Sequence, residues 1–144
     1  MAMEDPQGRH HFPARQLPDQ LSAVGPGWHA LLLRLHEQLL DLAPGYQLDD
    51  LKEKLGAARI RITGATALAH TEMQILVAAA EERSATVCEF CGAPARRRRR
   101  GDTTEGWIKA VCDNCHRDWS RHTITIINGS VRRRPNTTHR NLES

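Results

Sequence analysis

An α+β fold is predicted by three features of the 144-residue sequence. Two segments carry apolar residues at helical spacing, the stretch between them alternates as a strand does, and all four cysteines fall in two Cys-x-x-Cys pairs. Together they describe two main helices with a short β-hairpin or strand pair, followed by a C-terminal four-cysteine module. The expected division is a flexible segment over 1–24, a helical α+β core over 25–84, the cysteine module over 85–127 and a basic flexible tail over 128–144.

Up to Val24 the chain carries Pro6, Pro13, Pro18 and Gly8 and offers little that a core could bury. His10-His11 reads as an ordinary polar pair. Gly25-Pro26-Gly27-Trp28 opens the first helix, which runs to about Ala43 and stops at Pro44-Gly45. Trp28, Leu31, Leu32, Leu35, Leu39 and Leu42 form its apolar stripe. Leu33 and Leu40 lie beside that stripe and predict cover on more than one side. His29 and His36 lie on nearly one face, but no third ligand or carboxylate stands in a matching frame, and they read as polar-edge residues.

Tyr46–Thr63 has two readings. Arg59-Ile60-Arg61-Ile62-Thr63 alternates like a strand with one wet face. Tyr46–Leu55 is either its partner, turning near Glu53–Gly56, or a short helix capped by Asp49 and stopped by Gly56. The strand pair is the preferred reading. After Gly64, a second helix covers Thr66–Arg83. Leu68, Ile75, Leu76 and Ala79 share its expected core face, and Met73, Val77 and Ala80 widen it. Its end leaves almost no linker before the first cysteine, so the module should sit fixed against this helix.

Cys88-Glu89-Phe90-Cys91 and Cys112-Asp113-Asn114-Cys115 are separated by 20 residues, Gly92–Val111. Two such pairs supply four thiolates to a tetrahedral ion, and the spacing is that of a structural zinc site. Zn²⁺ is therefore the expected cofactor, with Cys88, Cys91, Cys112 and Cys115 as ligands. Gly92 suits the position after a knuckle because glycine takes a positive φ without strain. Cys112 and Cys115 would share one face of a helix's first turn, where the helix dipole favours thiolates. His116 is the alternative to Cys115 as fourth ligand. A redox pair fits two spaced pairs poorly, and disulfides would need an oxidising compartment that nothing else in the sequence indicates.

Between the pairs, strands near Ala95–Arg100 and Trp107–Val111 flank a turn-rich Gly101–Gly106 and predict a hairpin. Trp107 and Trp119 are expected in a small core around the metal. Knuckle, hairpin, then a helix bearing the second pair resembles the treble-clef class of zinc fingers; a zinc ribbon, with a hairpin at each knuckle, is the alternative. His122–Ile127 reads as a short strand, and from Gly129 the polar chain with Arg132-Arg133-Arg134 reads as a mobile tail. Asn128-Gly-Ser and Asn136-Thr-Thr match a glycosylation pattern that carries no meaning without secretion.

Over about residues 25–120 the chain also resembles a family of small, largely uncharacterised bacterial and phage proteins. The matching features are Pro26-Gly27-Trp28, the Tyr46…Leu51-Lys-Glu-Lys-Leu-Gly56…Arg61 segment, Glu82-Arg83-Ser84 before Cys-x-x-Cys-Gly, and Gly106-Trp107 before Cys112-Asp-x-Cys115. The family pattern carries an aromatic before the Gly of the middle segment, where this chain has Leu55. The resemblance implies a zinc-binding protein and brings no activity with it.

The formal net charge is +3, yet residues 84–144 carry +6 and residues 1–83 carry −3. A four-thiolate zinc centre contributes −2 and lowers the C-terminal half to about +4. Arg96, Arg97, Arg98, Arg99 and Arg100 run along one expected strand, with Lys109, Arg117 and Arg121 nearby. This clustering points to contact with the phosphates of DNA or RNA, with Trp107 placed to stack a base. The plainer readings are a solvated strand that offsets the anionic centre and a core tryptophan. The alternative function is a protein–protein interaction module, its arginines a solvated surface. Catalysis is not expected, because the sequence lacks a phosphate-binding glycine loop, an H-E-x-x-H motif and a nucleophile–base arrangement, and a four-thiolate zinc has no open position. The longest strongly apolar run, Ile75–Ala80, falls far short of the ~20 residues of a membrane helix. No apolar signal segment opens the chain, and a cytoplasmic location with no membrane partner is the expectation.

Overall fold

The computed structural model describes residues 15–135. In chain order they form a 3-10 helix over Leu17–Ala23, a 3-10 turn over Pro26–Trp28, then α1 (His29–Leu42), β1 (Gln47–Lys54), β2 (Ala57–Thr63) and α2 (Ala67–Ser84). The second half holds β3 (Arg96–Arg99), a 3-10 turn over Arg100–Asp102, β4 (Ile108–Val111), α3 (Asp113–Ser120), β5 (Ile124–Ile127) and β6 (Ser130–Arg133). The strands pair as three separate antiparallel ribbons, β1–β2, β3–β4 and β5–β6. The predicted α+β class is borne out. No helix among the described residues is long and apolar enough to cross a membrane.

The stripe on α1 is the spine of the main core. Trp28, Leu31, Leu32, Leu35 and Leu39 are buried, Leu42 is half-buried, and Leu33 faces solvent rather than broadening the covered face. Against them pack Leu48 and Leu51 of β1 and Ala58, Ile60 and Ile62 of β2, which alternate inward as one face of a pleated ribbon must. Tyr46–Gly56 is therefore strand and turn, not helix. Leu55 and Gly56 both take positive φ, 55° and 84°, as the two central residues of a type I′ hairpin turn require.

The core face of α2 differs from the expected one. Leu68 is 83% exposed and Ile75 is 64% exposed, and Ala79 also faces solvent, while Met73, Val77, Ala80 and Ser84 are buried. Apolar residues surround this helix, so periodicity does not select a side. Two polar contacts do. Glu81 Oε2 accepts from the Ile60 N–H at 2.8 Å and Ser84 Oγ accepts from the Ala58 N–H at 2.8 Å. These satisfy the free edge of β2, whose backbone donors would otherwise be buried without partners. Glu81 and Ser84 turn Met73 and Val77 inward with them, since residues four apart share a helix face.

Two further expectations are corrected at the ends. The segment before Val24 is not irregular throughout: Leu17 is fully buried and its N–H donates to the Tyr46 hydroxyl at 3.0 Å. His10-His11 and the rest of residues 1–14 lie outside the described residues, as do residues 136–144. Nor is the chain after Gly129 a tail from its start, because β6 pairs with β5 in the register Ile124↔Arg133 to Ile127↔Ser130. Asn128 and Gly129 make the turn, with φ of 51° and 78°. Asn-Gly is among the strongest short-range hairpin signals, and it explains the pairing.

Candidate metal centre

Four Sγ atoms, those of Cys88, Cys91, Cys112 and Cys115, lie within 4.8 Å of one another, which is close enough to hold a metal ion. Each pair is positioned by local backbone. At the first, the Gly92 N–H donates to the Cys88 carbonyl and the Cys88 N–H to the Ala93 carbonyl, both at 2.8 Å. Gly92 closes this knuckle with φ 86°, as its sequence position predicts. At the second, Cys112 is the N-cap of α3, and its sulfur accepts from the Cys115 N–H at 3.4 Å. The order of knuckle, β3–β4 hairpin and cysteine-bearing helix is that of the treble-clef alternative; a ribbon would carry the second pair on a turn between strands.

No disulfide links these residues, and Cys91 Sγ and Cys112 Sγ stand 3.7 Å apart. Burial, and next the charge of Cys88, push the Cys115 thiol up; burial pushes the Cys91 thiol up as well. Burial acts in the same direction at Cys112, but the Cys115 N–H and the neighbouring thiols that donate to its sulfur outweigh it and hold this thiol below its usual value. A bound cation would deprotonate the thiols that coordinate it. His116 is outside the cluster. Its Nε2–H donates to the Arg99 carbonyl at 3.0 Å, with Asp102 Oδ1 at 3.3 Å, and its ring packs against Trp119.

The knuckle is clamped by Gly25, Gly27, Trp28 and Glu89, which the sequence did not mark as part of a site, together with Lys109. The Gly27 N–H donates to the Glu89 carbonyl at 2.9 Å, and Trp28 Nε1–H donates to the Val87 carbonyl at 2.8 Å. Glu89 itself is 1% exposed, although it carries a carboxylate. Its Oε2 accepts from the Gly25 N–H at 3.0 Å, and its Oε1 is 2.8 Å from the Lys109 ammonium. Gly-Pro-Gly-Trp was visible as a helix opening; that its glycines admit a second backbone is a tertiary fact. Beneath the knuckle lies a small core of Cys88, Phe90, Val111, Trp119 and Ile124. Trp107 is not in it, being 78% exposed, which corrects the expectation of two tryptophans around the metal.

The basic residues divide into two groups. Arg98 is half-buried and donates to Asp113 Oδ1 at 2.8 Å. Arg100 lies over Trp119, 5.4 Å from the ring centroid, and its Nε–H donates to the Trp119 carbonyl at 2.7 Å. Lys109 is half-buried between Glu89 and, at 3.4 Å, Glu53. These three serve internal contacts rather than a free basic surface. Arg96, Arg97, Arg99, Arg117 and Arg121 are exposed. Arg96–Arg99 line an open groove of about 440 Å³ with Asp102, Thr103 and Thr104. Compared with protein-family models, with curated proteins and with solved structures, the chain matches none.

Proposed function

We propose that the four cysteines hold a structural Zn²⁺, and that the hairpin it secures contacts the phosphates of a nucleic acid without catalysing a reaction on it. Four sulfurs bound at about 2.3 Å around a tetrahedral zinc lie about 3.8 Å from one another, and the 3.7 Å between Cys91 and Cys112 suits that edge. Four thiolates leave no open position for a substrate or an activated water. Zinc content of the purified chain tests this half of the reading: one ion per chain is expected, and a site filled by iron or left without metal would refute it.

The observation that carries the nucleic-acid half is the open groove along β3, which Arg96, Arg97 and Arg99, all exposed, help to line. Arginines in this arrangement contact backbone oxygens irrespective of sequence. The test is a salt titration of binding with Arg96, Arg97 and Arg99 changed together to serine. Each lost phosphate contact lowers the log–log salt slope by about 0.7 on single strands and about 0.9 on duplex. The triple variant should therefore lose roughly two to three units of slope. An unchanged slope would refute the reading. A second reading, a protein-interaction module, is favoured by the exposed Leu68 and Ile75 on the outer face of α2. Self-association or partner capture that Leu68→Ser with Ile75→Ser abolishes would support it.

A further inference from the structure

We propose that the cleft between the Leu55-Gly56 turn and the start of β4 receives an unpaired nucleobase, stacked on Trp107, so that the ligand is a single-stranded nucleic acid. The inference rests on the phosphate-contact reading above and names the form of nucleic acid it serves. The cleft has a volume of about 400 Å³, and Leu55, Trp107, Ile108, Arg99, Lys54, Glu53 and Glu105 are among the residues that line it.

Two of these residues are poorly explained by folding. Trp107 is 78% exposed and belongs to neither hydrophobic core. Its backbone is fixed all the same, because its carbonyl accepts from the Arg100 N–H at 2.8 Å and continues the β3–β4 ladder by one pair. The ring is thus an aromatic face presented to solvent from a rigid ribbon. Leu55 lines the same cleft, 52% exposed and in the left-handed region at φ 55°. That conformation is strained for leucine, and asparagine or aspartate suits the position better. Strain and apolar exposure at one residue point to a role outside the fold.

Charge selects the occupant. Arg99 and Lys54 line the cleft, and Arg97 passes along Gly56 next to it. The cleft thereby adjoins the arginine groove on β3, with Arg99 common to both. Of the acids, Glu53 accepts from the Gly56 N–H at 2.8 Å and pairs with Lys109, while Glu105 is exposed to solvent. An aromatic platform beside cations that track a backbone is how single strands are held. In a duplex the base faces are covered by their neighbours and cannot reach Trp107.

The test uses the full-length, zinc-loaded protein with an oligothymidylate, an oligouridylate and a mixed-sequence duplex of equal length. Trp28 and Trp119 are buried, so quenching of tryptophan emission on binding reports Trp107. The expected result is tighter binding to one or both single strands than to duplex, with quenching. Trp107→Ala should weaken single-strand binding roughly tenfold or more and leave duplex binding nearly unchanged. Leu55→Asn should weaken single-strand binding too while its thermal midpoint stays level or rises, which separates binding from folding. The oligothymidylate and oligouridylate arms distinguish DNA from RNA. Single-strand affinity indifferent to both variants, or an equal preference for duplex without quenching, would overturn the inference. Loss of binding in the triple-arginine variant would then leave the phosphate reading standing. No binding to any of the three probes would overturn both.

Discussion

Replacing Gly27 with alanine tests whether the approach to α1 and the metal knuckle are one structure. A Cβ at Gly27 would stand 1.9 Å from the Cys88 carbonyl oxygen and 2.5 Å from the Gly92 nitrogen, both backbone atoms. Ordinary contact begins at 3.4 Å, so the two backbones must part by about 1.5 Å. A separation of that size breaks the hydrogen bonds from Gly27 N–H to Glu89 O and from Gly25 N–H to Glu89 Oε2, now 2.9 and 3.0 Å. The 2.8 Å bond from Trp28 Nε1–H to the Val87 carbonyl goes with them. Each is worth about 0.5–1.5 kcal/mol net, and overpacking adds roughly 1–3 kcal/mol. Because these losses share one displacement they do not simply add, and about 3 kcal/mol is the expected destabilisation. At this size that corresponds to a fall in Tm on the order of 10 °C. The assay is thermal and urea unfolding of metal-loaded protein, with the rate of metal loss to a chelator measured in parallel. Gly45→Ala is the control, since nothing lies within 4 Å of a Cβ there. A Gly27→Ala Tm within about 2 °C of the parent, with unchanged metal loss, would refute the close approach.

Chelating the metal, or changing Cys88 to Ser, should unfold the β3–β4 and α3 region and abolish the near-UV signal of Trp119, because ligand binding supplies folding free energy there. Metal content should also fall as pH falls, since protons compete for the thiolates. Lys109→Ala should cost about 3 kcal/mol in urea unfolding by leaving Glu89 buried without its counter-charge, and should leave the salt slope of nucleic-acid binding unchanged. Met73→Ala should destabilise by about 2–5 kcal/mol, whereas Leu68→Ser and Ile75→Ser should each stay within about 0.5 kcal/mol; equal effects would mean that the face of α2 is misassigned. Asn128→Val should loosen the β5–β6 ribbon, because a β-branched residue resists a φ of 51°, and the Arg132 amide, which the Thr125↔Arg132 pair places in the ladder, should exchange faster with deuterium.

The features readable in the sequence were those that one stretch of chain decides. The α1 stripe, the alternation in β2, the two knuckle-forming pairs and Gly92 each follow from local geometry, and each stands where it was expected. The features that were missed depend on a second segment. The inward face of α2 is chosen by the unpaired amides of Ala58 and Ile60, and nothing in the helix's own apolar pattern records them. Trp107 reads as core because tryptophan usually is, yet the space beside the cysteine cluster is filled by Phe90 and Trp119. The β6 strand was within reach. Asn128-Gly129 was noted for its glycosylation pattern, and the same two residues mark a hairpin turn.

The division among the basic residues changes what the arginine run can do. Five consecutive arginines suggest a strongly cationic strand, but alternation sends Arg98 and Arg100 toward α3, where Asp113 and Trp119 engage them. Lys109 is drawn to Glu89, a buried carboxylate that follows Cys88 in the first knuckle. Glu89 therefore links three parts at once: its carbonyl holds Gly27, its N–H holds the Ala110 carbonyl, and its side chain holds Gly25 and Lys109. The metal knuckle thus organises both the lead-in to α1 and the hairpin that carries the exposed cations. Of the eight basic residues counted as contacts from the sequence, Arg96, Arg97, Arg99, Arg117 and Arg121 face outward. Even if all five met phosphates of a single strand, the salt slope would not exceed about 3.5. Charge alone at that level gives weak, salt-labile association. On the proposed reading, the aromatic face of Trp107 in the cleft that Arg99 also lines would add an attraction that salt does not screen.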